Sequence, residues 1–115
     1  MKMKRVEATI QATKMSAVTD AISDIVGGFT ILEGSGRGSG ARQQVRAGRG
    51  TGSITAEYNK VATVSTIVDD SDVEKISTAI ADAAFTGKGG DGIIVVSNIE
   101  NVTNIATKKS GTEAL

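Results

Sequence analysis

"AAFTGKGGDGIIVV", residues 83–96, runs from the end of an apolar helical stretch into an apolar strand through a junction that holds four glycines. A bend needs one or two glycines, so the surplus asks for a reason. Gly87, Gly89 and Gly92 spell G-x-G-x-x-G, but the dinucleotide fingerprint has a strand before it and a helix after it, and here the order is reversed. A phosphate-binding P-loop is excluded too, because Lys88 is followed by Gly89 instead of Ser or Thr. What the run offers physically is a concave set of backbone amides able to hold an anion, with Lys88 at its rim. A helix cap at Gly87 followed by a turn at Gly92 accounts for the same residues without a ligand. Asp91 either ligates a bound group or bonds a turn amide.

Working outward, a helix over "DDSDVEKISTAIADAAF" precedes the junction, with Val73, Ile76, Ile80 and Ala83 as its buried stripe. Ser71 and Glu74 have the spacing of a capping box, and Asp69, Asp70 and Asp72 suit the positive end of the helix dipole. Earlier in the chain, "RVEATIQA" alternates as a half-buried strand, with Val6, Ala8 and Ile10 inward. "SAVTDAISDIVGG" places Val18, Ile22 and Ile25 at helical spacing, with Gly27 and Gly28 predicted to stop the helix as a left-handed cap. "FTILE" and "KVATVSTIV" read as strands, "GIIVV" as a fourth and "NIATKK" as a short fifth. Strand, helix, strand, long loop, strand, helix, strand is the order of a ferredoxin-like α+β sandwich, with both helices on one face.

With 115 residues the chain fits one domain, and with two Phe, one Tyr and no Trp its core must be aliphatic. So small a core favours a homo-oligomer. The absence of His and Cys removes thiolate chemistry, most metal sites and the usual neutral-pH acid/base group, and no carboxylate pair stands out, so no catalytic residue and no metal site is assigned. No apolar run reaches membrane-span length and the N-terminus lacks a signal-peptide block, so a cytoplasmic protein without membrane insertion is expected. Charge is balanced overall, yet the segment from Gly34 to Ala56 carries four arginines, seven glycines and no acid. A loop that long is functional or disordered in a small domain, and its composition suits ordering by a ligand or an acidic partner surface. Nucleic acid is not expected, because the loop has no aromatic residue for base stacking.

Thr86-Gly87-Lys88-x-Gly90-Asp91-Gly92 followed by an apolar strand resembles the B-loop of the PII nitrogen-regulatory signal proteins. The likeness runs nearly end to end: the "MK" start, Gly28-x-Thr30 entering the second strand, a glycine-rich opening to a long T-loop, Lys60-Val61 after it, and the "EAL" ending. That resemblance implies a homotrimer that binds adenine nucleotides (ATP, ADP or AMP) in clefts between subunits. The residues implied are Thr30, Gly36, Arg37, Gly38, Ser39 and Thr66, together with Thr86, Gly87, Lys88, Gly89, Gly90, Asp91 and Gly92. Gly40 and Lys60 fall at effector positions. The T-loop, about residues 37–55, would present Arg42, Arg46, Arg49, Thr51 and Ser53 to a target, typically an ammonium transporter at the membrane or a nitrogen-metabolism enzyme.

Departures from the family pattern are specific. Gly36-Arg37-Gly38-Ser39 stands where the family has G-F-G-R, Ile93 follows the Gly-Asp-Gly where a basic residue is usual, and Asn104-x-Ala106 replaces Arg-x-Arg. A glutamine that helps hold magnesium and 2-oxoglutarate in the family aligns with Gly40, which makes 2-oxoglutarate with magnesium the least supported of the implied ligands. No tyrosine occupies the uridylylation position. The leading expectation is therefore a non-enzymatic regulator that grips nucleotide with weakened preference for ATP, with Arg37, Arg42, Lys108 or Lys109 compensating. The alternative is a diverged PII-like adaptor that binds AMP, ADP or another anion such as bicarbonate and regulates carbon uptake.

Overall fold

The computed structural model describes residues 2–38, 44–47, 52–55 and 57–115. Four strands, β1 (Met3–Gln11), β2 (Thr30–Gly36), β5 (Asn59–Asp69) and β6 (Gly92–Ile99), form an antiparallel sheet in the order β2-β5-β1-β6. Helices α1 (Met15–Ile22) and α2 (Val73–Ala84) make the two crossovers. This is the ferredoxin-like arrangement expected from the element order.

Alternation sets the inward face of the central strands. Val6, Ala8 and Ile10 of β1 and Ala62, Val64, Thr66 and Val68 of β5 are buried, and the β1–β5 register places Val6 against Thr66, Ala8 against Val64 and Ile10 against Ala62. The helices cover this face with residues spaced four apart, Val18 and Ile22 from α1 and Ile76, Ile80 and Ala84 from α2. Val73 and Ala83 complete the predicted stripe as half-buried neighbours. Thr66 interrupts the apolar row at no cost in unsatisfied polarity, because its hydroxyl donates to the Gly28 carbonyl at 2.7 Å.

Four local expectations are corrected. Helix α1 ends at Ile22 and passes into a turn in which Ser23 N–H donates to Thr19 O and Val26 N–H to Ile22 O, while the Ser23 hydroxyl bonds the Asp20 carbonyl. Neither Gly27 nor Gly28 has positive φ, so neither is a left-handed cap. At α2 the capping box does not form: residues Asp70–Asp72 make a separate 3-10 turn, and the Ser71 hydroxyl donates to the Asp69 carboxylate at 2.9 Å. Residues 104–109 are a turn and not a fifth strand, closed by a single Thr103–Ser110 bridge; Asn104 Oδ1 accepts from the amides of Ala106 and Thr107. Finally, the arginine-glycine segment contains a hairpin, β3 (Gln44–Ala47) with β4 (Gly52–Thr55), which sets Val45 opposite Ile54, the two large aliphatic residues of that segment.

Among the described residues the opposite face of the sheet carries no α-helix. Leu32 is 67% exposed there and Ile93 66%, and the polar column of Arg5, Glu7 and Thr9 runs between them along β1. Among the described residues no helix is long and apolar enough to cross a membrane.

Gly92 opens β6 with φ +116°, and a Cβ there would lie 2.0 Å from the Thr9 carbonyl oxygen. Gly92→Ala should therefore cost about 2 kcal/mol or more in urea unfolding, whereas Gly27→Ala, where the space is open and φ is ordinary, should stay within about 0.5 kcal/mol.

Candidate functional site

The junction that follows α2 is built around one carboxylate. Asp91 Oδ2 accepts from the Thr86 amide at 2.7 Å and the Gly87 amide at 3.2 Å, and Oδ1 accepts from the Thr86 hydroxyl and from Gln11 Nε2 at 3.2 Å. The Lys88 amide in turn donates to the Thr86 hydroxyl oxygen at 3.2 Å. Gly87 and Gly90 have φ of +84° and +94°, so two of the loop's glycines supply conformations that residues with a Cβ rarely adopt. The surplus of glycine is thus backbone geometry at 87, 90 and 92, and Gly89 alone lacks that reason.

This arrangement decides between the two roles open for Asp91. Its oxygens are turned into the loop, so it organises the B-loop instead of presenting itself to a ligand, and the amides of Thr86, Gly87 and Lys88 are committed with it. Among the described residues nothing accepts from the backbone N–H groups of Gly89 and Gly90, which leaves these two donors for an anion.

Within a single chain the expected site residues divide into two cavities on the helix-free face. One, of about 350 Å³, joins the T-loop base to the B-loop: Gly36, Arg37 and Gly38 meet Gly90, Gly92 and Ile93 across a floor of Thr9 and Val61. Among the described residues Arg37 is the one formal charge lining it. The other, of about 590 Å³, gathers Thr30 and Thr66 with Gly27, Gly28, Ser65 and the C-terminal Ala114 and Leu115. No residue lines both. Thr30 and Gly36 stand at opposite ends of β2, about 20 Å apart along the strand.

Several expected positions fall elsewhere. Thr86, Lys88 and Gly89 are exposed on the loop outside both cavities. Lys60 sits on β5 opposite Ser35. Ser39, Gly40, Arg42, Arg49 and Thr51 lie outside the described residues, and Arg46 and Ser53 are known only as register partners in the β3–β4 hairpin. Lys108 and Lys109 ride on the Thr103–Ser110 turn, Lys108 at φ 66°, and line neither cavity. Asn104, expected from the sequence to replace an arginine of the family pattern, lines neither cavity and spends its Oδ1 on two amides and its Nδ2 on the Ala114 carbonyl. Sequence reasoning missed Gln11 and the C-terminal wall of the larger cavity. Gln11 is legible only as the polar end of the alternating β1.

A family profile described as nitrogen regulatory protein P-II matches residues 3–109. This chain belongs to the P-II family. Curated relatives include the nitrogen regulatory protein P-II of Bradyrhizobium diazoefficiens, 38% identical over 98% of this chain and 100% of the relative, and that of Rhizobium meliloti, 34% identical over the same shares. The nitrogen regulatory protein GlnK2 of Haloferax mediterranei is 33% identical over 98% of this chain and 91% of its own length. Among solved structures, Arabidopsis thaliana PII bound to citrate matches with TM-score 0.79 at 23% identity, covering 99% of this chain and 92% of that one. Bacillus subtilis GlnK matches with TM-score 0.78 at 22% identity over the whole of both chains, and the two together establish the shared fold.

The hydrogen bonds from Thr86, first its hydroxyl and then its amide, hold the Asp91 carboxyl below its ordinary value of 3.8. A depressed carboxyl contributes order above its unfolded pKa and loses it as pH falls through the folded one. Titration followed at the Thr86 and Gly87 amide resonances should therefore show a midpoint below 3.8, and Asp91→Asn should abolish that acid step.

Proposed function

We propose that this P-II protein is a non-enzymatic, nucleotide-responsive regulator formed by a single domain over residues 1–115. Adenine nucleotide would bind in clefts between subunits, and the T-loop, about residues 37–55, would act on a target such as an ammonium transporter or nitrogen-metabolism enzyme. The observation that carries the reading is the split site. The Thr30–Thr66 cavity and the Arg37–Gly90 cavity share no residue within one chain, yet both open on the helix-free face, where exposed Leu32 and Ile93 leave apolar surface for another copy to cover. A homotrimer that apposes the two half-sites would complete each cleft. The domain would work in the cytoplasm, reaching a membrane only through its target.

The phosphate end supports weak discrimination between nucleotides. Among the described residues its lining holds one cation, Arg37, and the Gly90 amide, with the Gly89 amide on the adjoining loop; Ile93 contributes no charge, and Asn104 is occupied. Each missing charge-assisted donor removes roughly 1.5–3 kcal/mol of grip on the outer phosphates. These features favour AMP and ADP relative to the family pattern. They also leave room for the second reading, a diverged adaptor that takes a smaller anion such as bicarbonate and regulates carbon uptake. Nothing in the described lining supplies a 2-oxoglutarate and magnesium site.

Calorimetry on the wild-type trimer with ATP, ADP and AMP is expected to give affinities within about tenfold of one another, and Arg37→Ala to weaken all three by tenfold or more. A preference for ATP above a hundredfold would overturn the weak-discrimination claim. Failure of all three to bind, with bicarbonate binding instead, would move the assignment to the adaptor. Sedimentation equilibrium should return three chains per particle; a monomer would sink the split-site argument.

A further inference from the structure

The pairing of β1 with β6 ends at Ile10 opposite Gly92. Gln11 and Asp91 stand one step beyond, where the backbone ladder has stopped, and there the side chains bond instead. Among the described residues four donors meet the Asp91 carboxylate, and three of them belong to Thr86 and Gly87 and so travel with the loop. Gln11 is the one donor that comes from the sheet.

We infer that Gln11 is a positioning residue: its side-chain amide latches the Asp91-centred B-loop to the end of β1 and so sets where the Gly89 and Gly90 amides point. The three loop donors fold the B-loop on itself but cannot fix it relative to Thr9 and the T-loop base, which line the cavity across from Gly90. Gly92 pins the far end of the junction, because the close approach of its backbone to Thr9 allows no slack. The Gln11 bond fixes a second point one residue earlier. Two fixed points orient the short segment between them and the loop before it, whereas one leaves it free to pivot. The same bond contributes to holding the Asp91 carboxyl low, last among causes led by Thr86. Its consequence for ligand rests on the nucleotide reading above; the latch itself does not.

Gln11 is neutral, so variants that add a charge of either sign test the latch. Gln11→Glu keeps the length and sets a carboxylate against a carboxylate, while Gln11→Lys offers a cation that reaches the same oxygen. In the full chain without ligand, carbon NMR should show the Asp91 carboxyl titrating about one unit higher in Gln11→Glu and lower in Gln11→Lys. Amide exchange at Thr86 and Gly87 should quicken about tenfold in Gln11→Glu and stay near wild type in Gln11→Lys, with the β1 and β6 amides at Ala8 and Ile94 unchanged in both. ADP affinity should fall about tenfold in the first variant and be retained in the second.

An unmoved Asp91 titration, or exchange that quickens equally along β1 and β6, would overturn the latch and leave Gln11 a general stabilising residue. If the apo signatures appear but wild type does not bind ADP, the latch stands and the nucleotide reading falls. If ADP binding is equal in all three proteins while the apo signatures appear, the positioning of the anion donors is refuted.

Discussion

The backbone of Gly92 lies so close to the Thr9 carbonyl that no side chain fits between them, and much of the molecule is arranged by that approach. It brings the first residue of β6 onto the sheet opposite Ile10, beside the core made by Ile80 and Ala84 of α2. Because β6 begins there and α2 ends at Ala84, seven residues must turn the chain between two fixed points. A span that short cannot form its own core, so its order comes from hydrogen bonds, and Asp91 supplies the acceptor for most of them. The geometry of the anion donors is thus downstream of a steric contact between two strands.

Much of the fold was legible because burial on one face of a sheet leaves a period of two, which β1 keeps from Val6 to Ile10 and β5 from Ala62 to Val68. Helices α1 and α2 were legible for the same reason at a period near four. Three of the misreadings share a cause: each relied on a local signal that a nearby hydrogen bond overrode. Ser71 found the Asp69 carboxylate, and the helix it was expected to cap begins after a 3-10 turn. Gly27 and Gly28 follow a turn already closed by Ser23 and Val26. In "NIATKK", Asn104 gathers two amides two and three residues ahead, which makes a turn from a stretch whose composition suits a strand. Asn and Ser compete with regular structure through bonds that depend on where neighbours fall, and periodicity does not record that.

The site was legible as a set of residues and not as a geometry. Family resemblance singled out Thr30 and Thr66 together with Gly36 and the B-loop, and the single chain keeps them in separate cavities. Asp91 was visible as a position of the B-loop motif in the resemblance, but which way its carboxylate turns depends on donors at Thr86, Gly87 and Gln11, and Gln11 lies eighty residues away in the chain. Contacts between distant segments leave no spacing signature, and Gln11 went unnoticed for that reason.

The hairpin of β3 and β4 is tethered unequally. Three residues, 56–58, separate β4 from the start of β5, while seven, 37–43, separate β2 from β3, and the two tethers leave the sheet at the paired residues Gly36 and Asn59. Fully drawn out, the shorter lead reaches about 14 Å and the longer about 28 Å. Chain length alone therefore keeps the end of β4 within the reach of the short lead from Asn59, whatever the length of the other. Of the two strands that leave the sheet, β5 thus sets the tighter limit on where the hairpin can stand.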